Sequence, residues 1–380
     1  MLKCGIVGLP LCGKTTVFNV ITRAGAEVKP YAGGKTEPNR ALVGVPDPRF
    51  DKLVEIFEPK KATPAAVEFV DLAGLSRDAG KGAGLGNSFL SFIAESEALL
   101  HVVRLFKNDD VPHPENSIDP VRDWRIVETE LIWRDLGVIE NRLSRLAGKK
   151  KGAGPRDAAE TAEAELLKKM QDHLLEERPL REYPLTDAQK KSLAGFAFLT
   201  LKPELVVLNL DETQTGSFPQ AAALEGFLSE KGLSSVRLFG SLEMDLAQLA
   251  PEEQKEFMQD LGIEEPGRDR LIHGAYGLLG LISFFTSGKD EVRAWTLSRG
   301  ENAVDAAGAI HSDLARGFIR AQVVAYEDFI EAWARGGFSP KDPRAGGAAM
   351  TACREKGLLR LEGKEYPVKD GDMIEIRFNV

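Results

Sequence analysis

The sequence predicts an α/β fold with a mostly parallel sheet, an inserted pair of helices and a separate C-terminal α+β domain. Short apolar runs alternate with helical patterns through the first hundred residues and again after residue 196, as in parallel sheets. Residues 121–193 are instead rich in Glu, Lys, Arg, Leu and Ala at helical spacing. From about residue 283 the pattern changes again, to alternating strands with short helices.

The composition limits the class of protein. The 380 residues are 43% hydrophobic and 28% charged, which is ordinary for a globular protein and sufficient for two or three domains. No apolar run approaches the length of a membrane span, and the start of the chain lacks a signal-peptide layout, so we expect a cytoplasmic protein that does not bind membranes. We also expect a monomer. The net charge of −9 argues against indiscriminate polyanion binding. The three cysteines lack metal-ligand spacing and are expected to be reduced, inert thiols.

The first predicted unit of structure consists of a strand, a loop and a helix. The loop Gly8–Thr15 fits the pattern G-x-x-x-x-G-K-[ST]; the apolar strand Cys4–Val7 precedes it, and a helical pattern from Thr16 to Ile21 follows. In such a loop the backbone N–H groups and the helix N-terminus surround a polyphosphate. Lys14 is predicted to reach the β- and γ-phosphates, and the Thr15 hydroxyl to bind Mg²⁺. The predicted phosphate-binding residues are Gly8, Leu9, Pro10, Leu11, Cys12, Gly13, Lys14, Thr15 and Thr16.

The next predicted strand, Val67–Asp71, carries the second part of the site. Asp71-Leu72-Ala73-Gly74 fits a D-x-x-G element, in which Asp71 would hold Mg²⁺ through water and the Gly74 N–H would contact the γ-phosphate. Thr36, between the two motifs, is placed to complete the Mg²⁺ shell, and a plain loop threonine fits the pattern nearly as well.

Base recognition is predicted at the ends of two later strands. Asn209-Leu210-Asp211-Glu212 stands where guanine-binding proteins of this architecture have N-K-x-D. Glu212 in the fourth position would fit guanine poorly and favours adenine; the alternative is that Asp211 takes the guanine role in a shifted register. Gly240, Ser241 and Leu242, after the strand Ser235–Phe239, complete the predicted nucleotide-binding set.

The remaining regions follow from their patterns. A break at Gly148–Pro155 divides the helical stretch into two long antiparallel helices. Further on, the pattern predicts a helix at Ala303–Leu314, a hairpin turning at Glu362-Gly363 and a last strand from Met373 to Val380. The predicted domains are residues 1–120 with 196–282, an insertion at 121–195, and residues 283–380.

With these residues assembled, the chain resembles the YchF subfamily of Obg-like P-loop NTPases over essentially its whole length. The tracts that carry the resemblance are Cys4–Thr15, Val45–Arg49, Glu68–Leu75, Gly82–Leu90, the N-x-x-E set, Leu261–Gly267, Glu291–Thr296, Gly317–Ile330 and Leu361–Val380. The resemblance implies a G domain of the TRAFAC class, a coiled-coil insertion, and a C-terminal TGS domain of β-grasp fold. It also implies hydrolysis of ATP in preference to GTP and association with ribosomes.

The resemblance also raises two points about the site. In related proteins the glutamine that positions water after D-x-x-G is replaced by an apolar residue, as at Leu75, and a loop histidine has been proposed to act instead. His113 aligns with that histidine; a loop histidine without a catalytic role fits the sequence equally well. The family's loop usually reads G-x-P-N-V-G-K-S, and here Leu11 replaces the asparagine that helps to hold K⁺ in potassium-activated relatives. Because a carbon side chain offers no oxygen to a hard cation, we predict weak or absent stimulation by K⁺.

The sequence therefore predicts a Mg²⁺-dependent ATPase that acts as a slow switch with a ribosomal or RNA-containing partner. Lys14, Gly74 and His113 are its candidate catalytic residues, and Thr15, Thr36 and Asp71 its candidate metal ligands. A nucleotide-gated binding module with negligible hydrolysis and an ordinary GTPase are the alternatives. The helical insertion and the C-terminal domain could each contact protein or RNA.

Overall fold

The structure is a computed structural model. Its residues fall into two compact units. It describes residues 2–22, 27–28, 39–71, 92–148, 158–211, 219–260, 263–338 and 345–379. The first unit comprises Met1–Val43 and Glu68–Leu271, and the second comprises Gly44–Val67 and Ile272–Val380. Within the described ranges, no helix is long and apolar enough to cross a membrane.

A seven-stranded sheet forms the centre of the first unit. Its strands are β1 (Lys3–Val7), β2 (Glu27–Val28), β3 (Asn39–Gly44), β5 (Ala66–Asp71), β6 (Ala98–Arg104), β7 (Glu204–Leu210) and β8 (Ser234–Phe239). They lie in the order β2-β3-β5-β1-β6-β7-β8, and the five from β5 to β8 in that order are mutually parallel. Every residue of β6 and β7 is buried, as expected for parallel strands that are covered on both faces.

Helices surround this sheet and form the insertion. They are α1 (Lys14–Thr22), α3 (Pro120–Gly148), α4 (Ala158–Leu175), α5 (Asp187–Leu193), α6 (Pro219–Glu230), α7 (Gly240–Leu246), α8 (Pro251–Asp260) and α9 (Gly267–Leu278), the last of which continues into the second unit. The long pair α3 and α4 packs through a cluster that includes Ile139, Leu167 and Met170. Arg142 and Glu163 join the two helices by two hydrogen bonds of 2.8 Å. The predicted helical hairpin is thus present, with the short helix α5 in addition.

A six-stranded sheet forms the second unit. Its strands are β4 (Lys61–Thr63), β9 (Leu281–Ser287), β10 (Glu291–Ser298), β11 (Phe318–Ala325), β12 (Arg360–Glu362) and β13 (Asp372–Phe378), in the order β12-β11-β13-β9-β10-β4. Its helices are α2 (Pro48–Phe57), α10 (Ala303–Ile310), α11 (Ser312–Arg316), α12 (Tyr326–Arg335) and α13 (Ala345–Glu355). One face of the sheet packs on α10 through buried residues such as Phe284, Ala306 and Val323.

Two local predictions for this unit were wrong. The predicted hairpin at Glu362-Gly363 does not form; β12 pairs with β11 instead, with Leu361 opposite Gln322. The predicted helix Ala303–Leu314 divides at His311, whose extended backbone and side chain cap the N-terminus of α11.

The grouping of residues 44–67 differs from the predicted boundaries, which assigned them to the first domain. These residues supply α2 and the edge strand β4, which runs parallel to β10. Side chains reinforce the pairing, since Thr63 donates a hydrogen bond of 2.9 Å to Glu291 and Lys61 lies 3.0 Å from the same carboxylate. The chain therefore leaves the first sheet after β3 and returns to it at β5.

Candidate nucleotide-binding site

The loop between β1 and α1 takes a shape that only glycine permits at two positions. Gly8 and Gly13 have φ angles of 147° and 98°, which side chains rarely adopt. A Cβ atom at Gly8 would lie 2.4 Å from the carbonyl oxygen of Val102, and one at Gly13 would lie 2.1 Å from Nδ2 of Asn209. The neighbouring strands β6 and β7 therefore approach the loop as closely as its backbone allows.

Lys14, the first residue of α1, reaches back across this loop. Its buried ammonium donates hydrogen bonds to the carbonyl oxygens of Gly8, at 3.0 Å, and Leu9, at 2.8 Å. Within the part of the chain that the structure describes, these bonds go to neutral carbonyls and not to a carboxylate. Its positive charge is consequently available to an anionic ligand in the loop.

Thr15 and Asp71 bring two hard oxygen atoms together beside Lys14. Asp71 ends β5, is 1% exposed, and lies opposite Ile6 of β1. The Thr15 hydroxyl donates a hydrogen bond of 3.2 Å to Oδ2 of Asp71. Hydroxyl and carboxylate oxygens suit Mg²⁺, which is usually held by one or two protein groups together with water and phosphate oxygens. Thr36 and Gly74, the other residues predicted to serve the metal and the γ-phosphate, lie outside the described residues.

Asn209, predicted to read the base, holds the phosphate loop itself. Its buried Nδ2 donates a hydrogen bond of 3.0 Å to the carbonyl oxygen of Cys12. Gly240, which begins α7, packs against Asn209 and Thr16, so closely that a Cβ atom there would lie 3.0 Å from each side chain. Asn209 and Gly240 thus stand next to the loop.

The remaining predicted base-site residues are less closely grouped. The side chain of Leu210 is buried in an apolar cluster with Val103 and Leu208, so it does not face the loop. In α7, Ser241 is exposed and Leu242 is buried. Glu212 lies outside the described residues.

Leu11 and Cys12 differ sharply in environment. Leu11 has a φ angle of 61°, a left-handed conformation that costs energy for a leucine, and 52% of the residue is exposed. Cys12 is buried, and burial raises the pKa of its thiol above the ordinary value. The thiol is therefore protonated at neutral pH, in agreement with the expected inert cysteine.

Arg104 is a residue of this site that the sequence analysis missed. It ends β6, is buried, and donates hydrogen bonds to the backbone carbonyl oxygens of Leu11, Phe106, Asn108 and Val111. A charged residue at the end of a mostly apolar strand was the available signal.

His113 is held within the protein in this structure. Its Nε2 atom lies 3.0 Å from Oδ2 of Asp123, and its Nδ1 atom accepts a hydrogen bond of 3.1 Å from the backbone N–H of Glu115. Its side chain is 6% exposed and lines, with Leu9, Cys12 and Asp123 among others, a cavity of about 10 Å³. Because Nδ1 accepts this bond and Nε2 lies against the Asp123 carboxylate, the ring would have to leave this position before it could orient a water molecule.

Two family models match parts of the chain. Residues 3–131 match a family described as 50S ribosome-binding GTPase. Residues 281–379 match the family YchF-GTPase_C, described as a protein of unknown function (DUF933). The first match covers the phosphate loop, Asp71, Arg104 and His113, and the second covers most of the second unit.

Relatives match over the full length. The protein named ribosome-binding ATPase YchF of Bacillus subtilis (strain 168) is 41% identical over 382 residues, which cover 100% of both chains. The protein of the same name from Escherichia coli O157:H7 is 42% identical over 378 residues, covering 100% of this chain and 99% of the relative.

Solved structures are also similar. The Schizosaccharomyces pombe YchF GTPase matches with a TM-score of 0.84 at 31% identity, covering 99% of this chain and 97% of that one. A GTP-binding protein from Pyrococcus horikoshii OT3 shares the fold with a TM-score of 0.60 at 18% identity, with 100% of both chains covered. These matches confirm the predicted fold class.

Proposed function

The chain belongs to the YchF family, and from this membership we propose a Mg²⁺-dependent P-loop nucleoside triphosphate hydrolase that prefers ATP over GTP. We further propose that it acts as a slow regulatory switch associated with the ribosome, in line with the name of its bacterial relatives. The observation that carries the proposal is the meeting of Lys14, Thr15 and Asp71 where β1 and β5 end, with the Thr15 hydroxyl 3.2 Å from the Asp71 carboxylate.

The phosphates of ATP would bind in the loop Gly8–Thr15. The backbone N–H groups at the start of α1 favour negative charge there. Lys14 would exchange its bonds to the Gly8 and Leu9 carbonyls for bonds to phosphate oxygens, which is favourable because these carbonyls are neutral.

The oxygens of Thr15 and Asp71, with Thr36, are the proposed groups around Mg²⁺, with Asp71 acting through water. When bound, Mg²⁺ neutralises the charge that develops on the β- and γ-phosphate oxygens. Gly74 is proposed to contact the γ-phosphate through its N–H. The donor set consists of hard oxygens, so it suits Mg²⁺ better than a softer metal.

Slow turnover is proposed because the usual water-positioning glutamine is replaced by Leu75. His113 is the proposed substitute. In this conformation its Nε2 atom lies against the Asp123 carboxylate and its Nδ1 atom accepts a hydrogen bond from the N–H of Glu115. Hydrolysis would then require the His113 ring to leave these contacts first. We propose that this release is a step a partner could accelerate.

Base selection is proposed to rest on Asn209, which fixes the loop, and Glu212, whose longer carboxylate favours adenine. An ordinary GTPase is the second candidate, because the matching fission yeast structure bears the name GTPase. In that case Asp211 would accept from guanine.

A side-by-side titration tests the nucleotide assignment. Fluorescent analogues of ATP and GTP are titrated into the protein with Mg²⁺, and γ-phosphate release is measured in a single turnover. We expect tighter binding of the ATP analogue and measurable ATP hydrolysis. Tighter GTP binding would favour the GTPase, and binding without phosphate release would favour the nucleotide-gated module.

The site assignment is tested with Lys14→Ala. Its matched control is Lys52→Ala, which removes a lysine outside the loop. Lys14→Ala should weaken ATP binding and abolish turnover, because it removes the charge that meets the phosphates. Lys52→Ala should leave both unchanged. A Lys14→Ala variant that hydrolyses ATP at the parent rate would contradict the site assignment.

Ribosome or RNA contact is proposed for the helical insertion, residues 121–195, and for the C-terminal domain, residues 283–380. We propose residues 1–120 and 196–282 as the G domain, of which residues 44–67 and 272–282 group with the second unit in this structure. Cosedimentation with ribosomes across a salt series measures the contact. Binding that weakens steeply with salt would indicate phosphate contacts, and no cosedimentation in any nucleotide state would contradict the proposal.

A further inference from the structure

Arg104 and Asn209 hold two consecutive carbonyl groups of the phosphate loop. The two residues lie directly opposite each other in the adjacent strands β6 and β7. Asn209 donates to the carbonyl oxygen of Cys12 at 3.0 Å, and Nη1 of Arg104 donates to that of Leu11 at 3.5 Å. The middle of the loop is thus attached to both strands that run beneath it.

The same guanidinium organises the segment that follows β6. Nε of Arg104 donates to the carbonyl oxygen of Phe106 at 3.1 Å, and Nη2 donates to those of Asn108 at 3.3 Å and Val111 at 2.9 Å. The guanidinium also lies 4.2 Å from the centroid of the Phe106 ring. Residues 106–111 therefore wrap around one side chain, and they lead directly to His113.

Burying a charge of this kind costs free energy, which only hydrogen bonds or an opposite charge can offset. Arg104 is 3% exposed, and its hydrogen bonds among the described residues all go to backbone carbonyls. Burial lowers the pKa of the guanidinium, and the nearby Asp123 opposes this effect. An apolar side chain would fill the space without the desolvation cost, but it could not donate to these four carbonyl oxygens, so the role of Arg104 lies in its hydrogen bonds.

The backbone conformation of Leu11 is the feature that requires these hydrogen bonds. Its left-handed backbone, with φ at 61°, is unfavourable for leucine and persists only where the surroundings fix it. The side chain of Leu11 is largely exposed, so its own packing does little to fix the backbone. The bonds to the carbonyls of Leu11 and Cys12 are contacts that can hold this peptide in place.

We propose that Arg104 is a positioning residue, which fixes the strained Leu11–Cys12 peptide and ties segment 106–111 to the phosphate loop. It acts through the loop and does not touch the nucleotide. This inference rests on the proposed function only in that the nucleotide binds at Gly8–Thr15.

The test compares Arg104→Lys and Arg104→Met with the parent, using a fluorescent ATP analogue with Mg²⁺ and a thermal melt. Both variants should weaken binding by about tenfold, the loss expected when hydrogen bonds from a charged donor are removed. Arg104→Lys should not rescue binding, because one ammonium cannot span four carbonyls as the planar guanidinium does.

Arg181→Lys is the matched control. Arg181 is also largely shielded, with its side chain 12% exposed, but it binds Glu128 and Glu204 where β7 begins, at the opposite end of the strand from Asn209. This variant should lower the melting temperature while the affinity for the analogue stays within about twofold of the parent.

A double-mutant cycle with Leu11→Asn, in potassium-free buffer, separates positioning from general stability. Asparagine accepts the left-handed conformation more readily than leucine. The affinity lost through Arg104→Met should therefore be smaller in the Leu11→Asn background. Additive effects would overturn the proposal, because a merely structural arginine has no reason to couple to this backbone.

Each of the other outcomes also counts for or against the inference or the proposed function. Parent-like affinity in either folded Arg104 variant overturns the inference. So does failure of both variants to fold, which would make Arg104 a structural residue of the sheet. If the parent itself binds neither ATP nor GTP, the proposed function fails, and this inference fails with it. If the parent binds ATP without hydrolysing it, only the proposed activity fails.

Discussion

Arg49 and Asp370 lie 321 residues apart in the chain and form a two-pronged ion pair. Nη1 of Arg49 is 2.9 Å from Oδ2 of Asp370, and Nη2 is 3.2 Å from Oδ1. Arg49 is further held by Asp47 and stacks 5.5 Å from the centroid of Phe285, while Asp370 accepts a bond from the N–H of Ser283. The amino end of α2 is thereby fixed to β9, which makes residues 44–67 part of the second unit.

The first prediction follows from this pair. Arg49→Met should destabilise the second unit by about 1 kcal/mol, because it removes a half-buried, bidentate pair and leaves Asp47 and Asp370 without their shared cation. Hydrogen exchange of amides in β9 and β13 measures the loss. Lys60→Met is the control, since its pair with Asp290 is almost fully exposed and should contribute little. Equal exchange rates in the Arg49→Met variant and the parent would contradict the prediction.

The sequence could predict the strands of the first sheet because each is an apolar run, buried on both faces. β6 and β7 are the clearest cases, with all residues buried. In contrast, β4 gave no signal, since Lys61 and Ala62 are exposed and the strand is recognised only by its pairing with β10. Short edge strands owe their structure to a partner distant in sequence.

The candidate site likewise has features that could be predicted from the sequence and features that could not. The phosphate loop, Asp71 and Asn209 were predictable because each lies at or just after the end of a strand that the pattern reveals. The bonds of Arg104 to four carbonyls, and the close approach of His113 to Asp123, depend on how loops fold back. No spacing rule encodes such contacts. Asn209 also shows the limit, because its position was predicted while its bond to the Cys12 carbonyl was not.

The second prediction concerns potassium. Replacing Na⁺ by K⁺ should leave ATP turnover unchanged, because the side chain of Leu11 contains only carbon and hydrogen and offers a cation no oxygen. Leu11→Asn should introduce a K⁺ response of about threefold or more, since it adds a carbonyl oxygen beside the loop. Turnover at matched ionic strength in the two salts is the measurement. Several-fold stimulation of the parent by K⁺ would show that the inference from Leu11 is mistaken.

The third prediction concerns the pair His113 and Asp123. Asp123→Asn should raise single-turnover ATP hydrolysis by about fivefold, because a neutral amide holds the ring less tightly than a carboxylate. His113→Ala should lower the rate, and the double variant should match His113→Ala. If Asp123→Asn speeds hydrolysis equally without the histidine, the acceleration has another origin.

The last prediction starts from a buried network between the insertion and the sheet. Nη1 of Arg181 donates to both carboxylate oxygens of Glu128 at 3.0 Å, and Nη2 lies 2.9 Å from Oε2 of Glu204. Trp124 and His101 bond to the other oxygen of Glu204 at 2.9 and 2.8 Å. Burial raises the pKa of Glu128 to about 7, against the attraction of Arg181. Burial also acts to raise the pKa of Glu204, but Arg181, His101 and Trp124 outweigh it and lower that pKa to about 2.

The pKa of Glu128 makes the free energy of unfolding depend on pH. From its ordinary pKa of 4.5 up to about 7, the carboxyl is ionised in the unfolded chain and protonated in the folded one. The folded state then binds more protons, so its stability falls as pH rises through this window. Glu204 acts in the opposite sense, but only between about 2 and 4.5, below the range tested. Relative to Glu128→Gln, the parent should lose about 3 kcal/mol between pH 5 and pH 8, as measured by urea unfolding at each pH. Glu140→Gln, exposed on the same helix, should follow the parent. Parallel curves for the parent and Glu128→Gln would show that Glu128 is already ionised at pH 5.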